Sequence, residues 1–147
     1  MILNFKIILL LLSIFVQNSI EGRNIRKNQA VGVHGLILCH GVPYRNAKLR
    51  LTNSNRINRS RVIASVFPKK NGQFVVIGHA NNSCLIHVYL EILHKCYERG
   101  YKCVKSIVLR VPAKYIFKGL MVHKYFNIGA FELTNTRHQK KICGKKY

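Results

Sequence analysis

The chain has 147 residues, with 25 Lys and Arg against four acidic residues, a formal charge of +21 and no aspartate. That length suits one domain, and so few carboxylates leave no obvious pair for general acid–base catalysis. Five cysteines are an odd number, so at least one thiol is free or bridges to another chain.

The N-terminus comes first. Residues 1–16 (MILNFKIILLLLSIFV) carry Lys6 and then an apolar run from Ile7, broken only by Ser13 and followed by the polar Gln17, Asn18 and Ser19. The run is too short to span a bilayer. It reads as a secretory signal peptide over residues 1–22, cut after Ser19 or Gly22, with an uncleaved anchor as the alternative. Removing Lys6 and Glu21 with the leader leaves the charge at +21. A secreted chain makes disulfides the expected use of the cysteines. No later apolar run is long enough to span a membrane, so the mature chain is expected to be soluble and extracellular.

Residues 23–30 (RNIRKNQA) read as a flexible basic lead-in to a folded domain over 31–147. Short strand-like segments then follow at 31–39, 47–52, 62–67, 73–79, 84–96, 102–111 and 125–133, separated by turn residues. In the second, Ala47, Leu49 and Leu51 alternate with Lys48 and Arg50, the period-2 pattern of a half-buried strand. Pro68-Lys-Lys-Asn71-Gly72 reads as a hairpin turn, because Asn-Gly supplies positive φ angles. Segment 84–96 places Cys84, Ile86, Val88, Leu90, Ile92, His94 and Cys96 on one face, the expected core side. Its other face holds Leu85, Tyr89 and Leu93, so it is either covered or a contact surface. Residues 52–61 (TNSNRINRSR) form a polar, basic loop. Together these features predict an all-β sandwich of seven or eight strands.

Several motifs occur in a recognisable order. Val31-Gly-Val-His-Gly-Leu-Ile-Leu-Cys39 leads through Gly41 and Pro43 to the second strand. Asn71-Gly-Gln-Phe-Val-Val-Ile-Gly78 follows, then Ile92-Leu-His-Lys-Cys96. Cys103, Val108-Leu-Arg-Val-Pro-Ala-Lys-Tyr-Ile116, Phe126-Asn-Ile-Gly-Ala-Phe-Glu-Leu133 and Cys143 complete the series. In this order and spacing the chain resembles the nematode transthyretin-like family. The resemblance implies an immunoglobulin-like transthyretin sandwich, secretion, and roles in carrying small apolar ligands, bridging cell-surface lipid to receptors, or acting at a host interface. Where the family tends to carry acidic loops, this chain has Arg56, Arg59, Arg61, Lys69 and Lys70.

Two bridges among five cysteines allow fifteen arrangements. The resemblance selects Cys39, Cys96, Cys103 and Cys143, and leaves Cys84, which has no family counterpart, as the free or intermolecular thiol. Within that set, Cys96 and Cys103 flank a loop with Gly100 near its middle, so a hairpin-closing bridge with Cys39–Cys143 as its companion is favoured. The rival joins Cys39 to Cys96 or Cys103 across the sandwich.

No catalytic residue is assigned. The 5-hydroxyisourate hydrolases, fold relatives of transthyretin, end in a Tyr-Arg-Gly-Ser signature, whereas this chain ends Cys143-Gly-Lys-Lys-Tyr147. No nucleophile-elbow, zinc-protease or phosphate-loop motif occurs. No metal or cofactor is expected either: His34, His40, His94 and Cys96 make no compact four-ligand set, and an oxidised Cys96 is not a ligand. The basic clusters Arg56, Arg59 and Arg61, then Lys69 and Lys70, then Lys140, Lys141, Lys145 and Lys146 are the candidate anion-binding residues. Their chemistry suits glycosaminoglycan sulfates or phospholipid head groups through counterion release, with a merely solubilising basic surface as the alternative. A cell-surface or host protein and self-association are further partners to consider, and nucleic acid is disfavoured for a secreted chain. Asn58-Arg-Ser60 and Asn81-Asn-Ser83 are N-glycosylation acceptors. The functional expectation is a non-enzymatic extracellular binding protein that contacts anionic ligands through basic loops, with carriage of a small hydrophobic ligand as the alternative.

Overall fold

A computed structural model describes Asn4 and residues 27–54, 61–82, 86–97 and 103–144. Ten strands form two sheets. In chain order they are β1 (Lys27–Cys39), β2 (Val42–Pro43), β3 (Lys48–Thr52), β4 (Val62–Val66), β5 (Gln73–Asn82), β6 (Tyr89–His94), β7 (Cys103–Arg110), β8 (Ile116–Lys118), β9 (Phe126–Glu132) and β10 (Lys140–Cys143).

The first sheet is built around β1. On one side β1 pairs antiparallel with β5 and then, past the turn, with β2; on the other it pairs with β8 and, in parallel, with β9. The second sheet runs β10-β7-β6-β3-β4, antiparallel throughout. The core lies between them. Val31, Val33, Ile37, Phe74 and Val76 of the first sheet meet Leu49, Leu51, Leu90, Ile92 and Ile107 of the second. The alternation in β3 is as expected, with Ala47, Leu49 and Leu51 fully buried.

The all-β sandwich expectation holds, with several corrections. Three short strands, β2, β8 and β10, add to the expected seven, because two to four residues carry no visible alternation. The lead-in is shorter than expected: β1 already begins at Lys27, since Lys27–Ala30 pair with Asn82–His79 and the Gln29 side chain, itself buried, accepts a bond from the Ile86 N–H. The 84–96 strand is also shorter, spanning Tyr89–His94. Its expected core face is buried from Ile86 to Cys96 wherever it is described. The opposite face is covered too, with Glu91 and Leu93 both buried.

The Asn71-Gly72 turn is not a hairpin. Gly72 has φ +78°, and Asn71 Oδ1 accepts from the Gln73 N–H as the turn chemistry requires. Yet β4 and β5 lie in different sheets, so the chain crosses the sandwich here instead of folding back within one sheet. Gly78 lets β5 approach β4 closely across the sandwich. A Cβ there would come within 2.7 Å of Ile63 and 3.1 Å of Leu51.

The disulfide pairing also differs from the favoured one. Cys39 is bonded to Cys96 and Cys103 to Cys143. The first bridge is the rival cross-sandwich arrangement, tying the end of β1 to the chain just beyond β6. The second joins register partners on β7 and β10. Cys103 is drawn away from Cys96 because β10 lies beside β7 and sets Cys143 opposite it in register. Cys84 lies outside the described residues. With 57 residues of sequence separation, the Cys39–Cys96 bridge restricts the unfolded chain by about 4 kcal/mol in the chain-entropy picture. Replacing both cysteines with alanine should lower unfolding free energy by roughly that amount, read as a reduced midpoint in urea with the Cys103–Cys143 bridge intact.

Candidate functional site

The expected basic clusters are spread over the molecule. Arg61 precedes β4, Lys69 and Lys70 occupy the crossing at its other end, and Lys140 and Lys141 lie on β10 at the far edge of the same sheet. Arg56, Arg59, Lys145, Lys146 and the glycosylation candidate Asn58 lie outside the described residues. Asn81 is exposed near the end of β5.

What the fold does assemble is a contrast between sheets. The second sheet's strands carry Lys48, Arg50, Lys105, Arg110, Lys140 and Lys141 against Glu91. Those of the first carry only Lys27 and Lys118 against Glu132. Register places Lys140, Ser106, Leu93 and Lys48 in one row on the outward face of the second sheet, with Arg110 beside Tyr89 two rows away. Arg110 escaped the sequence reading. Its signal was there in the alternation of 102–111, which puts it on the face of Ser106 and Val108.

Both described carboxylates are used internally. Glu91 is buried; its Oε2 accepts from Arg50 Nη2 at 2.6 Å and Nε at 3.0 Å, and Ser106 Oγ donates to Oε1 at 3.1 Å. A charge so far from water needs this pairing. Glu132, on β9, grips the turn after β1: Gly41 N–H donates at 2.7 Å, His40 N–H at 3.0 Å, and Thr134 gives its hydroxyl and its N–H. Burial pushes this carboxyl up, but the bonds from Gly41, Thr134 and His40 outweigh it and lower its pKa to about 2.

That turn adjoins the Cys39–Cys96 bridge. His40 and Tyr97, each directly following a bridged cysteine, have φ of 58° and 66°, and Tyr97 Oη is hydrogen-bonded to His40 Nδ1. Ligand atoms of Cys39, His40 and Cys96 lie within 4.8 Å of one another. The two sulfurs are bonded together, however, so they do not offer the thiolates that metals bind. His94 is buried on the core side of β6, and His34 lies on the first sheet beside Tyr125, so the four candidate ligands do not converge.

Two of the clefts among the described residues bear on function. One, of about 330 Å³, lies on the first sheet's outer face between His34, Leu36, Val75 and Asn127. The other, of about 410 Å³, opens between the ends of β4 and β5.

A profile of the transthyretin-like family matches residues 34–112, from the middle of β1 through β7. The chain belongs to the transthyretin-like family. Transthyretin-like protein 5 of Caenorhabditis elegans is 28% identical over 113 residues, covering 76% of this chain and 81% of its own. Transthyretin-like proteins 33 and 2 of the same nematode are 26% and 24% identical, with 71% and 74% of this chain covered. A 9R-lipoxygenase from Cyanothece aligns with a TM-score of 0.38 at 12% identity, over 71% of this chain and 16% of its own. The family match ends before β8, β9 and β10, so Glu132 and Cys143 of this transthyretin-like chain lie beyond it.

Glu132 gives a testable pH dependence. Its folded pKa, about 2, is below the ordinary 4.5, so ionised Glu132 stabilises the fold above pH 4.5 and that contribution fades as pH falls towards 2. Glu132→Gln should be less stable than the parent at pH 7, and the two unfolding curves should converge between about pH 5 and pH 2, followed by urea denaturation at each pH.

Proposed function

We propose that this chain is a secreted, non-enzymatic extracellular binding protein that meets anionic cell-surface or matrix ligands through its basic surface. The supporting observation is uncompensated charge. Glu91 and Glu132 are engaged inside the fold, while Lys48, Arg110 and Lys140 share the outward face of one sheet and Arg61, Lys69 and Lys70 stand at its β4 edge. Spread cations of this kind suit an extended polyanion, which can touch many at once and releases counterions as it does so. Glycosaminoglycan sulfates and phospholipid head groups both offer that chemistry.

A second reading is favoured by the first sheet. Its outer cleft is lined by His34, Leu36, Phe74 and Val75, and Val75 and Ile77 are 56% and 43% exposed on strands almost free of charge. Carriage of a small apolar ligand would use this face, and native mass spectrometry of the purified protein should then retain an apolar small molecule. Turnover of 5-hydroxyisourate would overturn the non-enzymatic part of the proposal.

The polyanion reading predicts retention on immobilised heparin at low salt and a steep loss of affinity as salt rises. Replacing both Lys48 and Lys140 with alanine should reduce the log–log salt slope by about two, one for each lost contact. Passage of the unmodified protein through the column at low salt would refute the reading.

A further inference from the structure

The larger cleft is independent of the flat basic face. It lies where β4 and β5, in contact through Gly78 and Ile63, separate towards Arg61 and Asn82. Its volume of about 410 Å³ falls within the range of small-molecule sites, roughly 300–1,000 Å³. Its lining divides by chemistry. Arg61, Asn53, Asn81 and His79 supply polar groups, and Ile63 and Ile86, both packed with the core, supply an apolar floor; no carboxylate is among the residues that line it.

Two of the polar groups, Arg61 and Asn53, present donors. Asn53 Oδ1 is occupied by the Arg61 N–H at 2.8 Å, and the Asn53 N–H donates back to the Arg61 carbonyl at 3.2 Å. Those backbone bonds hold Arg61 at the mouth and leave the Asn53 amide nitrogen as the donor end of its side chain. The ion pair among the described residues belongs to Arg50 and Glu91, so the Arg61 guanidinium has no carboxylate to neutralise it there. The Nε2 of His79 lies 2.9 Å from the Leu120 carbonyl. A carbonyl only accepts, so Nε2 carries the hydrogen and is engaged there, outside the carboxylate's contacts. A guanidinium fork with an amide donor at an apolar cleft matches a carboxylate joined to an apolar body.

We propose that this cleft binds a small organic acid, its carboxylate held by Arg61 and Asn53 and its apolar body lying against Ile63 and Ile86. The inference rests on the basic-surface reading only for Arg61 being left to an external anion. It also makes Asn81 a site of conflict, because a glycan there would stand on the cleft's wall.

The test is an amide NMR titration of the full mature chain, with both disulfides and without N-glycans, using decanoate below its micelle concentration and 1-decanol as the uncharged control. Saturable shifts at residues 53, 61–63, 79–82 and 86 are expected, with decanoate binding more tightly than decanol. Arg61→Ala should weaken decanoate about 10- to 100-fold, the worth of a charged hydrogen-bonded contact, and leave decanol unchanged. The backbone of Arg61, not its guanidinium, holds Asn53, so the variant should keep the folded spectrum; if it does not, Arg61→Gln carries the same expectation. The Lys48 and Lys140 alanine variant should show the reduced salt slope on heparin yet bind decanoate normally, which separates failure of the polyanion reading from failure of this one. Equal affinity for decanoate and decanol, no effect of the Arg61 substitutions, shifts confined to the first sheet's outer face, or no saturable shift would each overturn the proposal.

Discussion

The first sheet depends on one strand. β1 uses both sides of its hydrogen-bond ladder, carrying β5 and β2 on one and β8 and β9 on the other. Its outer face must be bare at Gly32, where the chain beyond β8 crosses it: a Cβ there would lie 2.6 Å from the Tyr125 ring and 2.9 Å from Val122. The crossing segment is held further by His79, bonded to the Leu120 carbonyl, and by His34 edge-on to Tyr125. At its far end β1 is anchored twice, covalently through Cys39 and electrostatically where Glu132 caps the turn at His40 and Gly41. The core of the sandwich forms against a sheet positioned in this way.

Carboxylates are so scarce that their placement shapes the rest. Glu91 satisfies Arg50 and Ser106 within the second sheet, and Glu132 gathers four donors at the turn. Each acts locally, over distances that solvent and salt screen weakly. The cations elsewhere on the described surface are therefore not balanced by these two groups. The resulting self-repulsion opposes compactness, and two disulfides, each closing a long stretch of chain, act in the other direction.

Much of the fold was legible from residues. The alternation of Ala47, Leu49 and Leu51 gave a strand with the correct buried face, and the even-numbered residues from Ile86 to Cys96 did face the core. Other elements were hidden for physical reasons. Asn71 and Gly72 specify local turn angles, but β5 joins the other sheet through its long ladder with β1, a pairing distant in sequence that turn chemistry does not encode. The disulfide partners depended likewise on which strand ends meet. Cys103 faces Cys143 only because β10 pairs with β7, and β10 is too short to announce itself. Of the candidate site, individual cations were visible as clusters. Their separation by the sheet, and the cleft that draws Asn53, Arg61 and Ile86 together, are consequences of tertiary structure.

The unequal charging of the two sheets has a directional consequence. Near a negatively charged plane, a body with cations on one face experiences a torque as well as an attraction, so it does not land at random. The strands described here would settle with Lys48, Arg110 and Lys140 towards the plane. Val75 and Ile77, on a strand without Lys or Arg, would then be held outward. Adsorption would thus select an orientation, with the apolar side displayed to whatever approaches from solution.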